Sequence, residues 1–292
     1  MCGFVCLWNI DDEALAQAMI SRIAHRGPDA TQVVRAPHAP VIMAHARLSI
    51  IGPDNGAQPI YQNDDLLVVN GEIYNHADLR AILGESAFTT ASDSEAILHL
   101  FRSGELRWIA RLDGMFAFVL ATSERIIAAR DPLGIKPLYM ARIRDGVAFA
   151  SELKAYDGID VDMIEAIPPG GLYDSLDGPR RWYRTPHGAA VPEPGLSVEA
   201  TAAELRLVME EAVEKWMVAD VEVGCFLSGG LDSSIIAALA ARHAPYRIKT
   251  FSVGAEGSPD LLAARRVATH IGSDHFEFAF GPGDVIEVLP KV

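Results

Sequence analysis

The chain has 292 residues, enough for one large domain or two ordinary ones, and half of them are hydrophobic against 22% charged, as in a folded chain with ample core. A formal charge of −14 argues against a nucleic-acid or anionic-membrane partner held by bulk charge. Three cysteines, Cys2, Cys6 and Cys225, are too few and too scattered for a disulfide framework or a zinc cluster, which fits a reducing, cytoplasmic setting; no stretch reaches the ~18 apolar residues of a membrane span.

In chain order, the first part predicts strands over 4–8, 41–49, 66–70, 115–120, 125–129, 138–142 and 147–150. They are rich in apolar and aromatic residues and bounded by Gly, Pro, Asn and Asp. Helices are predicted over 13–23, 77–83 and 94–102, the last with a cap-like start in Ser92 and Asp93 and with Glu95 soon after. Strands in runs with helices apart imply a layered α+β domain over 2–184. The segment "TPHGAAVPEPGLS", 185–197, holds three prolines and two glycines with no apolar period and reads as a linker. Residues 198–292 form the second domain. A helix over 198–218 carries apolar residues at 205, 208, 209, 212, 213, 216 and 217. Strand and helix then alternate (strands at 224–227, 248–253 and 275–280, helices at 233–242 and 260–271), which predicts α/β with a parallel sheet. Doubly wound sheets normally have more strands, so this domain is expected to be incomplete.

Two stretches carry chemistry. "MCGFVC" places Cys2 directly behind the initiator. Cys2 is either just a small residue near the chain start, or, once Met1 is removed, a nucleophile beside its own α-amine, whose ordinary pKa of ~7.7–8.0 suits a general base. "FLSGGLDSS", 226–234, lies between a strand and a helix, where a tight Gly-Gly turn and unpaired helix N–H groups suit a phosphate. It is neither a G-x-x-x-x-G-K-[ST] loop nor a G-x-G-x-x-G turn.

With Cys2 come, in order, "HRGPD", "HARLSI", "GAQP", "NGEIYNH", "SDSE", "LDGMFAF" and "RDPLGIKPLY". This arrangement resembles class II glutamine amidotransferases, and with the "SGGLDSS" loop behind it the whole chain resembles the glutamine-dependent asparagine synthetase family. The segment 252–278 follows that family's pattern too. The resemblance implies an N-terminal-nucleophile sandwich of antiparallel sheets between helices, followed by an incomplete ATP-pyrophosphatase domain.

It further implies that Cys2 attacks the side-chain amide of glutamine, and that Asn70 and Gly71 supply the oxyanion donors, each worth roughly 2.7–4 kcal/mol in such sites. Arg47 would hold the substrate carboxylate, Glu72 and Asp93 its ammonium, and the backbone of Leu48, Ser49, Ile50 and Ile51 would line the pocket; Asp93 also suits a helix N-cap. In the second domain Phe226, Leu227, Ser228 and Val253 would border ATP. Ser228, Gly229, Gly230, Ser233 and Ser234 would hold its pyrophosphate portion, and Asp232 would place magnesium or orient the loop. Phe226 departs from the small aliphatic residue expected there. The implied activity is ammonia release from glutamine and ATP-dependent amidation of aspartate through an aspartyl-adenylate. The family's later "SGEGSDE"-like segment has no counterpart here, so glutamine hydrolysis alone is expected of these residues. A stand-alone glutaminase, or a non-enzymatic regulatory subunit with a vestigial second domain, stays open, and a homodimer is compatible with each.

Overall fold

The computed structural model describes residues 1–105, 107–186 and 197–289. The chain divides into two compact units, Met1–Ala189 and Ala190–Val292. The expected linker lies, from 187 to 196, outside the described residues.

Unit 1 runs β1 (Gly3–Trp8), α1 (Glu13–Arg22), β2 (Ala30–Arg35), β3 (Val41–Arg47), β4 (Ile60–Gln62), β5 (Asp65–Ile73), α2 (His76–Leu83), α3 (Glu95–Arg102), β6 (Gly114–Ala121), β7 (Ile126–Arg130), β8 (Tyr139–Ile143), β9 (Gly146–Ala150), β10 (Met163–Ala166), β11 (Gly171–Asp174) and β12 (Gly178–Arg181). Two six-stranded sheets result, ordered β10-β8-β9-β1-β3-β2 and β12-β11-β7-β6-β5-β4, with every pairing antiparallel.

The layering follows from strand alternation. In β1, Phe4, Cys6 and Trp8 face the second sheet and pack with Leu66, Val68, Ala117 and Val119. Val5 and Leu7 point the other way, onto Ala16, Met19 and Ile20 of α1. Likewise Leu67, Val69, Phe116 and Phe118 face Ile97 and Leu98 of α3. Each central strand is therefore apolar on both faces, and the unit is a helix–sheet–sheet–helix sandwich of the expected class.

Five strands escaped sequence analysis: β2, β4, β10, β11 and β12. Four of them are edge strands and β11 lies next to an edge, and β10 is exposed along its length, so they carry no long apolar run. The strand expected over 41–49 stops at Arg47, and 48–51 is irregular backbone. The expected cap of α3 is also corrected. Ser94 is the N-cap residue and makes no side-chain cap bond. Glu95, fully buried, instead accepts from Thr89 N (2.8 Å) and Thr90 N (2.7 Å), closing the preceding loop.

Unit 2 runs α4 (Val198–Trp216), β13 (Gly224–Phe226), α5 (Leu231–His243), β14 (Lys249–Ala255), α6 (Pro259–Ile271), β15 (Asp274–Phe280) and α7 (Pro282–Val288). The three strands are parallel in the order β13-β14-β15. α4 ends two residues before the expected 218 and α5 starts two before the expected 233. Of the apolar stripe on α4 only Val213 is buried, with Leu239, Ala240 and Ile248; Leu205, Val208 and Trp216 are exposed.

Candidate active site

Cys2 sits immediately before β1, between the ends of β3 and β5. Leu48 N donates to its Sγ at 3.3 Å, and its carbonyl accepts from Arg26 Nε at 2.8 Å. In the amide orientation that satisfies both ends, Asn70 Nδ2 donates to the same carbonyl at 2.9 Å and Asn70 Oδ1 accepts from Arg26 Nη2 at 3.2 Å. Arg26, 9% exposed, is anchored by Glu152 Oε1 at 2.6 Å. Cys2 is thus tied down by three hydrogen bonds to two of its atoms, where chain ends otherwise fray. Burial pushes the Cys2 thiol up, and the Leu48 N–H offsets part of this by favouring thiolate.

Asn70 and Gly71 lie near the end of β5. Beyond the short strand β4 the neighbouring residue Val69 has no strand partner on that edge among the described residues, and side chains complete it. Val69 N donates to Gln58 Oε1 (2.7 Å), and Val69 O accepts from His45 Nε2 (3.1 Å). Burial lowers the pKa of His45 to about 4, so the ring is neutral. A Cβ on Gly71 would sit 2.2 Å from Met115 O and 2.6 Å from Phe116 Cα, so only glycine lets β5 and β6 approach there.

Next on β5 is Glu72, whose Oε2 is buried without a hydrogen-bond partner. Its carboxyl is pushed up to about 8, first by burial and then by the Asp93 charge. Asp93, 4% exposed, is raised by burial too, although its Oδ2 accepts from Ile73 N at 2.6 Å. A buried carboxyl and one with a buried, unpartnered oxygen thus adjoin each other, and among the described residues no ion pair joins a cation to either. Arg47 is fixed by the loop that follows it: Nη1 donates to Pro53 O (2.9 Å) and Nη2 to Gly52 O (2.6 Å). Ser49 N is held by Asp29 Oδ2 at 2.7 Å, which sets the course of residues 48–51, with Ile51 buried.

The structure therefore gathers Cys2, Arg47, Leu48, Asn70, Glu72 and Asp93, which are far apart in sequence. Arg26, Gln58, His45, Glu152, Asp131 and Lys136 support this cluster and were not singled out by sequence analysis. Five of them lie in the "HRGPD", "HARLSI", "GAQP" and "RDPLGIKPLY" segments, so the signal was present as strings without roles.

In unit 2 the loop after β13 is closed by its own hydroxyls. Ser228 Oγ meets Ser233 Oγ at 2.9 Å, Gly230 N donates to Ser228 Oγ at 3.3 Å, and Ser234 Oγ donates to Gly230 O at 2.6 Å. Gly229 has φ +78° and a Cβ there would lie 2.5 Å from Ala264 N, so glycine is needed twice over. Leu227 is buried, with its N donating to Phe251 O at 2.8 Å, whereas Phe226 is 82% and Val253 63% exposed. Among the described residues no cluster of three or more His, Cys, Asp or Glu side chains could hold a metal, and Asp232 belongs to none. Asp232 is the one carboxylate of the loop 226–234, and it would offer a magnesium ion a single protein ligand beside phosphate oxygens and water. Among the described residues no helix is long and apolar enough to cross a membrane.

Two antiparallel sheets sandwiched between helices, with a cysteine pinned at the head of a central strand, define an N-terminal-nucleophile amidotransferase fold. Residues 1–166 match the glutamine amidotransferase domain family, and the chain belongs to that family. Residues 204–292 match the asparagine synthase family. Curated relatives include a glutamine-hydrolyzing asparagine synthetase of Zea mays, 41% identical over 313 aligned positions that cover 100% of this chain and 52% of the relative. Another, from Arabidopsis thaliana, is also 41% identical, over 100% of this chain and 53% of its own length. The chain thus spans about half the length of the curated relatives it matches. Among solved structures, a glutamine phosphoribosylpyrophosphate amidotransferase from B. subtilis superposes with a TM-score of 0.56 over 98% of this chain and 70% of its own, at 17% identity. That likeness shows the fold alone.

Proposed function

We propose that unit 1 hydrolyses glutamine to glutamate and ammonia. The observation that carries this is the pair Glu72 and Asp93: a buried carboxyl and one with a buried, unpartnered oxygen, adjoining the Cys2 cluster. An α-ammonium group placed there would supply the missing hydrogen-bond donor and the missing positive charge together. Arg47 offers the α-carboxylate its remaining N–H groups.

Removal of Met1 gives Cys2 a free α-amine. The thiol proton passes to that amine, and Sγ attacks the side-chain carbonyl carbon. The second N–H of Asn70 Nδ2, left over from its bond to the Cys2 carbonyl, and the Gly71 N–H are the donors proposed for the oxyanion. The C–N bond then breaks, ammonia leaves with the proton, and water hydrolyses the thioester to glutamate. Arg26 acts on this sequence by holding the Cys2 carbonyl and orienting Asn70.

The relatives' printed activity extends the proposal to unit 2, where ATP would activate aspartate and ammonia would displace AMP. The loop at Ser228–Ser234 supports this: its glycines permit close approach, and Gly230 opens α5 without a side-chain cap, leaving helix N–H groups toward the turn. The amidotransferase domain is accordingly placed at 2–184, the linker at 185–197 and the synthetase part at 198–292, in a cytoplasmic enzyme. The test is to incubate the purified 292-residue chain with glutamine, aspartate, Mg²⁺ and ATP and to measure glutamate, asparagine and pyrophosphate separately. Glutamate is expected without asparagine. No glutamate from a folded, Met1-free chain overturns the proposal for unit 1, and asparagine formed in step with pyrophosphate overturns the expectation for unit 2.

A further inference from the structure

No residue of the segment "RDPLGIKPLY" has a stated role in the steps above, yet the segment is built around one side chain. Asp131, buried, accepts from Leu133 N (3.1 Å), Ile135 N (2.9 Å) and Lys136 N (2.9 Å). Arg130 donates through Nε to Lys136 O (2.6 Å), through Nη2 to Gly134 O (2.7 Å) and through Nη1 to Ile167 O (2.8 Å). Both backbone polar groups of Lys136 are thus clamped. Its side chain, 4% exposed, runs inward, and among the described residues Nζ meets only the Met1 thioether, at 3.3 Å. No carboxylate pairs with it among the described residues. A buried ammonium left unpaired is costly, so a turn that enforces one calls for a use.

Met1 is the residue whose removal the chemistry of Cys2 requires. When it leaves, its side chain vacates the space against Lys136 Nζ, and the new α-amine of Cys2 borders that space. We propose that Lys136 is a positioning residue for glutamine hydrolysis, a fixed buried cation that keeps the freed α-amine of Cys2 neutral and therefore able to take the thiol proton. The proposal rests on the glutaminase reading of unit 1.

The groups facing this point come from every element around it. Arg26 approaches from the turn after α1, with Glu152 behind it, and Arg47 comes from the end of β3. Glu72 comes from β5, with Asp93 and Tyr74 acting on it and His76 on Asp93 in turn, and Asp131 comes from the turn itself. Glu72, pushed up to about 8 by burial and Asp93, opposes the burial that lowers the Lys136 ammonium, and its raised pKa weakens that opposition in the empty site. The α-amine now present, on Met1, is held below its usual value by burial, with Arg26 and Lys136 adding in the same direction and the Cys2 thiolate and Glu72 opposing.

The experiment measures kcat and KM for glutamine against pH, and the pH dependence of Cys2 alkylation by iodoacetamide, in the Met1-free chain and in Lys136→Met and Lys136→Arg. Without the cation the amine keeps its proton to higher pH. The acid limb of kcat in Lys136→Met should move up by about one unit, a loss of about tenfold on the acid side that closes at high pH, with little change in KM. Lys136→Arg should restore the limb. Lys136→Gln carries the same test where Lys136→Met does not fold. An acid limb that stays in place in a folded neutral variant overturns the proposal, as does a rise in KM with the limb unmoved. A wild-type chain inactive on glutamine would defeat the glutaminase reading instead, and the alkylation profile would still decide whether Lys136 acts on Cys2.

Discussion

The two units answer the same physical problem differently. In unit 1 each sheet is covered on both faces, by the other sheet and by helices, and charges that enter the interior are clamped by named partners: Arg26 by Glu152, Asp131 by three backbone N–H groups. In unit 2 a three-stranded sheet leaves Phe276, Phe278, Val253 and Phe226 exposed, and α4 keeps Leu205 and Val208 in solvent. A catalytic pocket needs the first situation, because only a rigid, dry surround raises a carboxyl toward 8 or holds a lysine that no carboxylate bridges among the described residues. The loop of unit 2 is ordered locally by its serines, and that does not require a complete core.

The largest expected effect tests whether the chemistry resides in unit 1 alone. Cys2→Ala should lower glutamine hydrolysis by on the order of 10³-fold or more while leaving the melting temperature unchanged. Residual turnover near the wild-type rate would break the contrast. Next, Arg47→Ala should raise KM for glutamine by about 10²-fold, as expected when one end of a buried zwitterion loses its partner; an unchanged KM would remove Arg47 from the pocket.

Glycine substitutions sharpen the comparison in stability. Gly71→Ala forces a Cβ to 2.2 Å from Met115 O between two buried strands, and should cost about 1–3 kcal/mol in unit 1 together with most of the activity. Gly229→Ala, strained by φ +78° and by Ala264, should destabilise unit 2 by a similar amount and leave glutamine hydrolysis intact. Limited proteolysis with activity assays separates the two.

Glu72 sets a pH dependence whose sign is definite. Its folded pKa, about 8, lies above the ordinary value of 4.5, so the folded state binds the extra proton. Its contribution is complete below the ordinary value and is lost as pH rises through about 8. The melting temperature of the empty chain should therefore fall by several degrees between about pH 6 and pH 9, and Glu72→Gln should flatten that slope. Glutamine binding near neutral pH should release a proton, visible by calorimetry in buffers of different ionisation enthalpy. Smallest of all, Phe226→Ser should reduce self-association of the chain without changing glutamine turnover; an altered turnover would contradict the independence of the two units.

The sequence by itself determined the layered class of unit 1, the alternation of unit 2, and the order in which the site's strings occur. Double-faced apolar strands such as "FVCLW" and "MFAFVL" leave little choice but a buried sheet, and "SGGLDSS" sits where strand gives way to helix. Edge strands such as β10 were not legible, because half-solvated backbone pairing needs no apolar pattern. Neither was the character of the charged residues: Arg26 and Lys136 read as ordinary surface charges in a list, and Glu72 and Asp93 had a role only through the resemblance. Only the tertiary structure brings them to one point, and only there does the loss of water decide which carboxyl keeps its proton and which ammonium goes unpaired. Desolvation depends on what surrounds a group in space, and neighbours along the chain do not report it.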